Sequence, residues 1–416
     1  MVKIKFVTFG CSNNFAESEI MAGLIKEAGF KIVNSNEDIT IINVCNVKGP
    51  SVTKALKVLR KSKKTIITGC LNKYVIKKIK KIKKNISLID TNNIKDIVKA
   101  IKALEDNKYI EKLDKKQTIK CDLPKIRKNK IINILPIGSG CNYKCTFCAT
   151  KLSKGNLFSF PEKAILNEAK KSIKDGCKEI WLTSQDTGAY GLDINNNLPD
   201  LLNKILSIEG NFFVRLGMTN PNHIIKDIKK YIPIFKHPKM FKFIHIPVQS
   251  GSNKILKDMK RPHKVKDYIE IVNKLRKEIS NITISTDLII GYPTETNDDF
   301  KKSIELLNKT KPDILNFSKF WAMEGTEAKK LKPLPTELTK MRLLKTKKTF
   351  DNIALNNNKK WLNWEGKIII DEIGKNNTLI GRNQSYKPVI VKGNYQLGEI
   401  IKTKIKKITS YDLRTF

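Results

Sequence analysis

Three cysteines fall within eight residues: Cys141, Cys145 and Cys148, in Ser139-Gly-Cys-Asn-Tyr-Lys-Cys-Thr-Phe-Cys-Ala-Thr150. The spacing is CxxxCxxC, with the aromatic Phe147 just ahead of the last thiol. Three thiolates this close suit a soft metal or an iron–sulfur cluster. A structural zinc site or a ferredoxin-type cluster would take a fourth protein ligand nearby. The next cysteine, Cys177, belongs to a different element. A four-iron cube on these three ligands leaves one iron open to a non-protein ligand, and a zinc knot or chance clustering is the bland alternative.

Three further cysteines stand singly, each just after a strand-like run. Cys11 follows in Thr8-Phe-Gly-Cys-Ser-Asn-Asn14, Cys45 in Ile42-Asn-Val-Cys-Asn-Val-Lys48 and Cys70 in Thr68-Gly-Cys-Leu71. Taken alone, each is more often a small buried hydrophobe than a ligand. Their repeated placement, twice behind a glycine, favours ligation of a second cluster with an open iron. Gly10 and Gly69 would let the backbone turn tightly and approach a bulky group. Cys121 has no partner spacing and reads as an incidental free thiol. Cys177, just before a strand, points to the opposite face and reads as structural.

The elements around these residues set their positions. Residues 1–105 alternate strands (Ile4–Phe9, Ile39–Val44, Thr65–Thr68, Ser87–Ile89) with helices near Ala16–Ala28, Ser51–Lys61, Asn72–Lys83 and Asn93–Ala103. A βα repeat predicts a parallel sheet, whose ligands gather at the C-terminal strand ends. Within it, Ile76, Ile79 and Ile82 make an apolar stripe backed by lysines. That lysine face is either a plain solvated surface or an RNA contact. Residues 106–129 are polar and Lys-rich and read as a linker.

A second βα series fills residues 130–350. Strands are predicted at Ile131–Ile137, Glu179–Thr183, Phe212–Leu216, Phe241–Ile246, Thr283–Ile289 and Ile314–Phe317. Helices include Glu162–Asp175, Ser252–Met259, Val265–Ile279 and Asp298–Lys309. Six units make an open, partial (β/α)6 barrel with its active site at the C-terminal strand ends. The cysteine loop, after the first strand, then lies at the mouth. After a helix over Glu337–Asn356, residues 356–416 turn to short strands punctuated by glycine: Gly366–Ile370, Thr378–Arg382, Lys387–Val391 and Glu399–Ile408. This predicts a small β-barrel. Lys402, Lys404 and Lys406 alternate with other positions there, so one face packs and the other presents ammonium groups. Those groups suit a phosphate backbone, or else serve as a charged edge that blocks aggregation.

Composition bounds the rest. The 416 residues carry 80 Lys and Arg against 40 Asp and Glu, a net charge of +40. Such an excess points to a polyanionic partner such as nucleic acid, or to a Lys-biased genome. No run of 18 apolar residues is present, so no transmembrane helix is expected. The chain starts directly on a strand-like Lys3–Phe9 rather than a signal peptide. Eight cysteines are too sparse for a disulfide scaffold and fit the reducing cytoplasm.

Further stretches carry a resemblance: Glu179-Ile-Trp-Leu-Thr-Ser-Gln-Asp-Thr-Gly-Ala-Tyr-Gly191, Arg215-Leu-Gly-Met-Thr-Asn-Pro221, His245-Ile-Pro-Val-Gln-Ser-Gly-Ser252, Met259-Lys-Arg261 and Thr286-Asp-Leu-Ile-Ile-Gly-Tyr-Pro-Thr-Glu-Thr296. With the cysteines, they make the chain resemble the radical S-adenosylmethionine methylthiotransferases along its whole length. The resemblance implies an N-terminal methylthiotransferase domain, a radical-SAM domain and a C-terminal TRAM domain. It implies one 4Fe–4S cluster on Cys141, Cys145 and Cys148, a second on Cys11, Cys45 and Cys70, and S-adenosylmethionine as cofactor. The stretches Cys45-Asn-Val-Lys-Gly-Pro-Ser51 and Trp181–Tyr190 look like the archaeal and eukaryotic branch, which acts on N6-threonylcarbamoyladenosine at position 37 of tRNA. The other branches act on isopentenyladenosine-37 tRNA or on a ribosomal protein. A non-catalytic iron–sulfur tRNA-binding protein is the competing class. An electron-donor protein and a sulfur donor are also implied, and no membrane.

By the same resemblance, Ser184, Gln185 and Asp186 would meet the methionine end of the cofactor. Gly291 and its turn would lie near the adenine, and Glu295 would be either a polar anchor there or a helix cap. The chemistry implied is reductive cleavage of S-adenosylmethionine to a 5′-deoxyadenosyl radical, which activates C2 of adenine for delivery of a methylated sulfur. Three positions depart from the family pattern. Thr294 stands for a Gly, Met323 for an Arg, and Lys154 for the basic residue after the cysteine loop, where Arg and Lys are not equivalent.

Overall fold

A computed structural model describes residues 1–46 and 49–416. Val47 and Lys48, within the stretch Cys45–Ser51, lie outside the described residues. The N-terminal strands are β1 (Lys3–Thr8), β2 (Lys31–Ile32), β3 (Ile39–Val44), β4 (Lys64–Gly69), β5 (Ser87–Asp90) and β6 (Glu111–Lys112). They form one parallel sheet in the order β2-β1-β3-β4-β5-β6. Helices α1 (Ser12–Glu27) and α4 (Ile97–Glu105) bury Ile20, Ile25 and Ile101 on one face against Ile39 and Ile41. Helices α2 (Gly49–Lys61) and α3 (Lys73–Ile82) cover Ile42, Val44, Ile67 and Leu88 on the other. The period-two alternation along β3 thus feeds two cores. Strand order reverses between β1 and β3, the place where doubly wound sheets open a crevice.

The joining segment 106–129 is built into the fold rather than a loose tether. It supplies β6, buries Lys120 and Cys121, and Thr118 donates to the Asn92 carbonyl. Cys121 sits in the central core with its thiol on the Pro136 carbonyl at 3.1 Å.

The central strands are β7 (Ile132–Pro136), followed by a small antiparallel pair β8 (Gly138–Ser139) and β9 (Phe158–Ser159) flanking helix α5 (Thr150–Lys154). Then come α6 (Glu162–Lys174), β10 (Glu179–Thr183), α7 (Leu198–Leu206), β11 (Phe213–Leu216), α8 (Pro221–Lys236), β12 (Phe243–His245), α9 (Asn253–Asp258), α10 (Val265–Glu278), β13 (Thr283–Ile290), α11 (Asn297–Thr310) and β14 (Ile314–Lys319). Two parallel runs, β7-β10-β11 and β12-β13-β14, are stitched by the bridges Val214–Met240 and Met218–His245. The result is the expected open six-stranded barrel. Ile180, Leu182, Val214, Leu216 and Ile244 pack outward under the helices. Trp181, Arg215 and Phe243 share the inner face, with the Arg215 guanidinium 4.8 Å and 5.0 Å from the two ring centres.

Helix α12 (Thr336–Lys359) leads to β15 (Glu365–Ile373), β16 (Leu379–Arg382), β17 (Pro388–Val391), β18 (Ile400–Lys404), β19 (Lys407–Ile408) and β20 (Leu413–Arg414). These curl into one sheet, β18-β15-β16-β17-β20-β19, whose two edges are neighbours in the chain. The expected single strand Glu399–Ile408 is broken because buried Ile405 turns into the core and bonds Asn363 and Trp364. This domain docks on the N-terminal ends of the barrel strands. Tyr386 enters among Phe241 (4.8 Å between ring centres), Phe243 (5.2 Å) and Trp181 (6.3 Å). Lys387 pairs with Asp313 at 3.0 Å.

Candidate active site between two cysteine sets

The sheet register brings the single cysteines together. Thr8 pairs with Asn43, Asn43 with Thr68, and Val44 with Gly69, so Cys11, Cys45 and Cys70 all follow the same edge. Gly10 has φ +146°, and a Cβ there would fall 2.7 Å from the Cys45 Cβ. At Gly69, φ +101°, a Cβ would fall 2.4 Å from Asn43 Oδ1. Both positions need glycine for conformation and for space. Asn14 knits the edge: its Oδ1 accepts from the Cys11 amide, and its Nδ2 donates to Asn43 Oδ1 at 3.0 Å. Cys11 keeps exposed surface overall, yet the packing around its thiol pushes its pKa up. The Cys70 thiol is raised further, first by its hydrogen bond with Cys45 and then by burial.

The CxxxCxxC loop is held by the barrel mouth. Thr146 donates to the Asp258 carbonyl at 3.0 Å and meets the Tyr292 hydroxyl at 2.8 Å, and Phe147 packs with Met259 and Tyr292. Arg261 Nη1 lies 3.4 Å from Cys145 Sγ. Thr150 bonds Cys148 Sγ through its amide (3.4 Å), and its hydroxyl lies 3.1 Å away. Burial pushes the Cys141 thiol up to about 12 and raises Cys148 as well. Undisturbed thiols here would stay protonated, so a positive group has to claim them as thiolates. Each set is three soft donors without a carboxylate ligand between them, which fits an iron–sulfur cluster better than a hard cation.

The other expected site residues fall around this loop. Asp186 is buried, and its carboxylate accepts from the Asn220 amide (3.1 Å) and side chain (2.6 Å) and faces His223 at 3.2 Å. His223 in turn meets the Tyr143 hydroxyl at 2.7 Å. Asp186 therefore orients the loop through Asn220, His223 and Tyr143. Ser184 Oγ accepts from the Asp186 amide, while Gln185 Oε1 is buried without a partner. On the far side, Glu295 accepts from the Gly291 amide at 3.0 Å and from Arg342 at 2.7 Å. The cap of α11 is Thr296, so Glu295 anchors the Gly291 turn to α12 rather than capping a helix. Thr294 is accommodated by a bond from its hydroxyl to Asp258 (2.5 Å). The Met323 turn is closed by that residue's main-chain carbonyl, independent of its side chain. Cys177 is buried at the opposite end of the strands, near the Lys130 carbonyl.

Deeper in the lumen, His245 Nε2 meets Asp287 Oδ1 at 2.8 Å, and Asn316 donates to the same oxygen at 3.0 Å. These three were not singled out from the sequence, although His245 and Asp287 lie in motifs that were. In the C-terminal domain Lys402, Lys404 and Lys406 are all exposed, and Lys404 pairs with Glu365 at 3.0 Å.

One short helix joins the two cysteine sets. α5 begins beside Cys148 and ends at Lys154, which stands within electrostatic reach of Cys11 and Cys70. Five residues span only ~8 Å. Asn46, next to Cys45, donates to Ser153 of the same helix at 2.7 Å.

Comparison with known proteins agrees with this architecture. Residues 3–90 match the uncharacterized protein family UPF0004, 135–307 the radical SAM superfamily and 365–415 the TRAM domain. The fold is similar to TsrM, a radical S-adenosylmethionine methyltransferase from Kitasatospora setae (TM-score 0.55, 11% identity, 76% of this chain and 74% of that one). It is also similar to OxsB, a cobalamin-dependent S-adenosylmethionine radical enzyme (TM-score 0.52, 13% identity, 85% and 56%). Among curated proteins, one from Archaeoglobus fulgidus named "Probable threonylcarbamoyladenosine tRNA methylthiotransferase" is 38% identical across 97% of this chain and 96% of its own. The human threonylcarbamoyladenosine tRNA methylthiotransferase is 35% identical across 94% of this chain and 70% of its own. Matched from end to end and at this identity, the chain belongs to the threonylcarbamoyladenosine tRNA methylthiotransferase family.

Proposed function

We propose that this chain is a cytoplasmic radical S-adenosylmethionine enzyme that places a methylthio group on C2 of N6-threonylcarbamoyladenosine at position 37 of tRNA. The observation that carries the reading is that the helix α5, which starts two residues after Cys148, is bonded through Ser153 to Asn46, the neighbour of Cys45, at 2.7 Å, so that two three-cysteine sets face one another across it. C2 of adenine bears an unactivated C–H bond, which no side-chain acid or base can open, so bound cofactors must supply the hard step. Cys141, Cys145 and Cys148 would hold one 4Fe–4S cluster, and Cys11, Cys45 and Cys70 a second. When bound, these clusters and S-adenosylmethionine supply reductive cleavage and the sulfur to be methylated and transferred.

The chain's own residues bind and orient. Arg261 Nη1, 3.4 Å from Cys145 Sγ, braces that side of the loop. Ser184 and the unpartnered Gln185 Oε1 are offered to the methionine end of the cofactor, with Asp186 as their support. The Gly291 turn, fixed by Glu295 and Arg342, is offered to its adenine. His245, Asp287 and Asn316 present donors and acceptors to the polar substituent of the base. Lys402, Lys404 and Lys406 grip tRNA phosphates, whose charge the net +40 of the chain attracts. Electrons and sulfur come from separate donors.

Nucleoside mass spectrometry of tRNA from a strain lacking this chain tests the reading. The methylthio-threonylcarbamoyl nucleoside should vanish and its unthiolated precursor accumulate. Wild-type chain should restore it and Cys141→Ala should not. Persistence of that nucleoside in the deletion strain, or loss of a methylthio-isopentenyl nucleoside instead, would falsify the assignment.

A further inference from the structure

Lys154, at the end of α5, is 2% exposed and points away from its own cysteine loop into the N-terminal domain. Its Nζ lies 3.1 Å from Glu17 Oε1 and 3.3 Å from Thr91 Oγ1. Lys120, from the joining segment, reaches the same carboxylate oxygen at 2.7 Å and is 1% exposed. Glu17 itself is fully buried, and its second oxygen has no hydrogen-bond partner. Two ammonium groups thus share one carboxylate. The next carboxyl, Asp90, makes no ion pair with either lysine among the described residues. A positive charge left over in dry protein is costly unless an anion answers it. Ser153, next to Lys154, accepts from Asn46, the neighbour of Cys45, at 2.7 Å, and the thiols of Cys11 and Cys70 are the next groups after Glu17 that would favour the charged form of Lys154 once ionised.

We infer that Lys154 is the electrostatic counterpart of the cluster held by Cys11, Cys45 and Cys70. Three thiolates on a four-iron cube make a net anion, and the radical-SAM domain lends the N-terminal domain the cation that balances it. Lys154 is a positioning residue: it touches neither substrate nor the reacting carbon. It also links the two sites, because the helix that delivers it begins at Cys148. Filling the N-terminal site fixes the far end of α5 and so steadies the loop at its near end. This inference rests on the reading that the N-terminal cysteines hold a cluster.

The test uses full-length chain carrying Cys141→Ala, Cys145→Ala and Cys148→Ala, so that only the N-terminal site can load. This parent is compared with Lys154→Met and Lys154→Arg after anaerobic reconstitution with iron and sulfide. Iron per chain is counted, and the midpoint potential is read by electron paramagnetic resonance during a reductive titration. The parent and Lys154→Arg should hold about four irons each. Lys154→Met should load less iron, or hold a cluster whose potential is shifted to more negative values, because a nearby cation favours the added electron. Glu17 keeps Lys120 in Lys154→Met, and Lys154→Gln, whose amide can still donate to Glu17, serves if the Met variant does not fold. Unchanged iron and potential in the neutral variants would overturn the inference. So would an Arg variant that behaves like the Met one, since shape rather than charge would then matter. If the parent itself takes up no cluster, the reading of the N-terminal site falls, and the role of Lys154 with it.

Discussion

Glu17→Gln removes one charge and almost no volume. Lys120 and Lys154, 1% and 2% exposed, would then face an amide. Removing one partner from a buried pair costs ~3–5 kcal/mol, because the other charge stays behind uncompensated. The titration of Glu17 gives a second route to the magnitude. Burial alone would raise its pKa, but Lys120, then Lys154, then the hydrogen bonds of Lys120 and Thr91 outweigh it and hold the group at about 2. Against an ordinary value of 4.5, at ~1.4 kcal/mol per pH unit, that is ~3 kcal/mol. The sign follows from the lowered folded value. The stabilisation is complete above pH 4.5 and is lost as pH falls through about 2. Urea unfolding of the apo chain should therefore put Glu17→Gln ~3 kcal/mol below wild type at pH 7, with the gap closing as pH falls from 4.5 toward 2. Circular dichroism is the right probe, since Trp181, Trp321, Trp361 and Trp364 all lie outside the N-terminal sheet. A loss under about 1 kcal/mol at pH 7, or a gap that does not narrow with acid, would refute the reasoning.

Other outcomes follow from the same contacts. Reconstituted wild type should carry about eight irons, and Cys11/Cys45/Cys70→Ala or Cys141/Cys145/Cys148→Ala about four each; an unchanged iron count in either triple variant removes that site. Arg342→Met strips Glu295 of its buried partner. It should lower stability by ~3–5 kcal/mol and weaken S-adenosylmethionine binding through the Gly291 turn, as checked by thermal melts and equilibrium dialysis. Burial, with Asp371 second, pushes the Glu179 carboxyl up to about 8. Its stabilisation is full below pH 4.5 and is lost as pH rises through about 8, so Glu179→Gln should flatten stability across that window. Replacing Lys402 and Lys406 by Ala should make the salt dependence of tRNA binding shallower, by about 0.9 in log–log slope for each phosphate no longer neutralised. Lys404→Ala should do less, because that lysine is already paired with Glu365.

The six cysteines and the two βα series were legible because their signals are local: a spacing, a glycine before a thiol, an alternation of apolar runs. Register then did the rest, as the pairing of Val44 with Gly69 sets Cys45 beside Cys70. The charge cluster was not legible. Glu17 is 103 residues from Lys120 and 137 from Lys154, and a lysine in a Lys-rich chain gives no sign of being buried. For the same reason 106–129 read as a polar linker while holding Lys120, Cys121 and the Lys125–Glu168 pair inside the protein. The role of Glu295 depended on Arg342, which lies in a helix whose sequence shows only its period. His245, Asp287 and Asn316 meet only when three strands are laid side by side.

Tyr386 is carried into the barrel floor by the turn between β16 and β17. It meets Phe241, Phe243 and Trp181 there, with Arg215 and Arg382 over its ring. Aromatic pairs of this kind are worth ~0.5–1.5 kcal/mol each beyond the area they bury, so the small domain cannot pivot without giving up several at once. The exposed lysines of β18 and the mouth of the barrel therefore stand at a set distance, like the jaws of a gauge. With those lysines on tRNA phosphates as proposed, a nucleotide would reach the two cysteine sets only where the stretch of RNA between it and the lysines has the matching length and curvature.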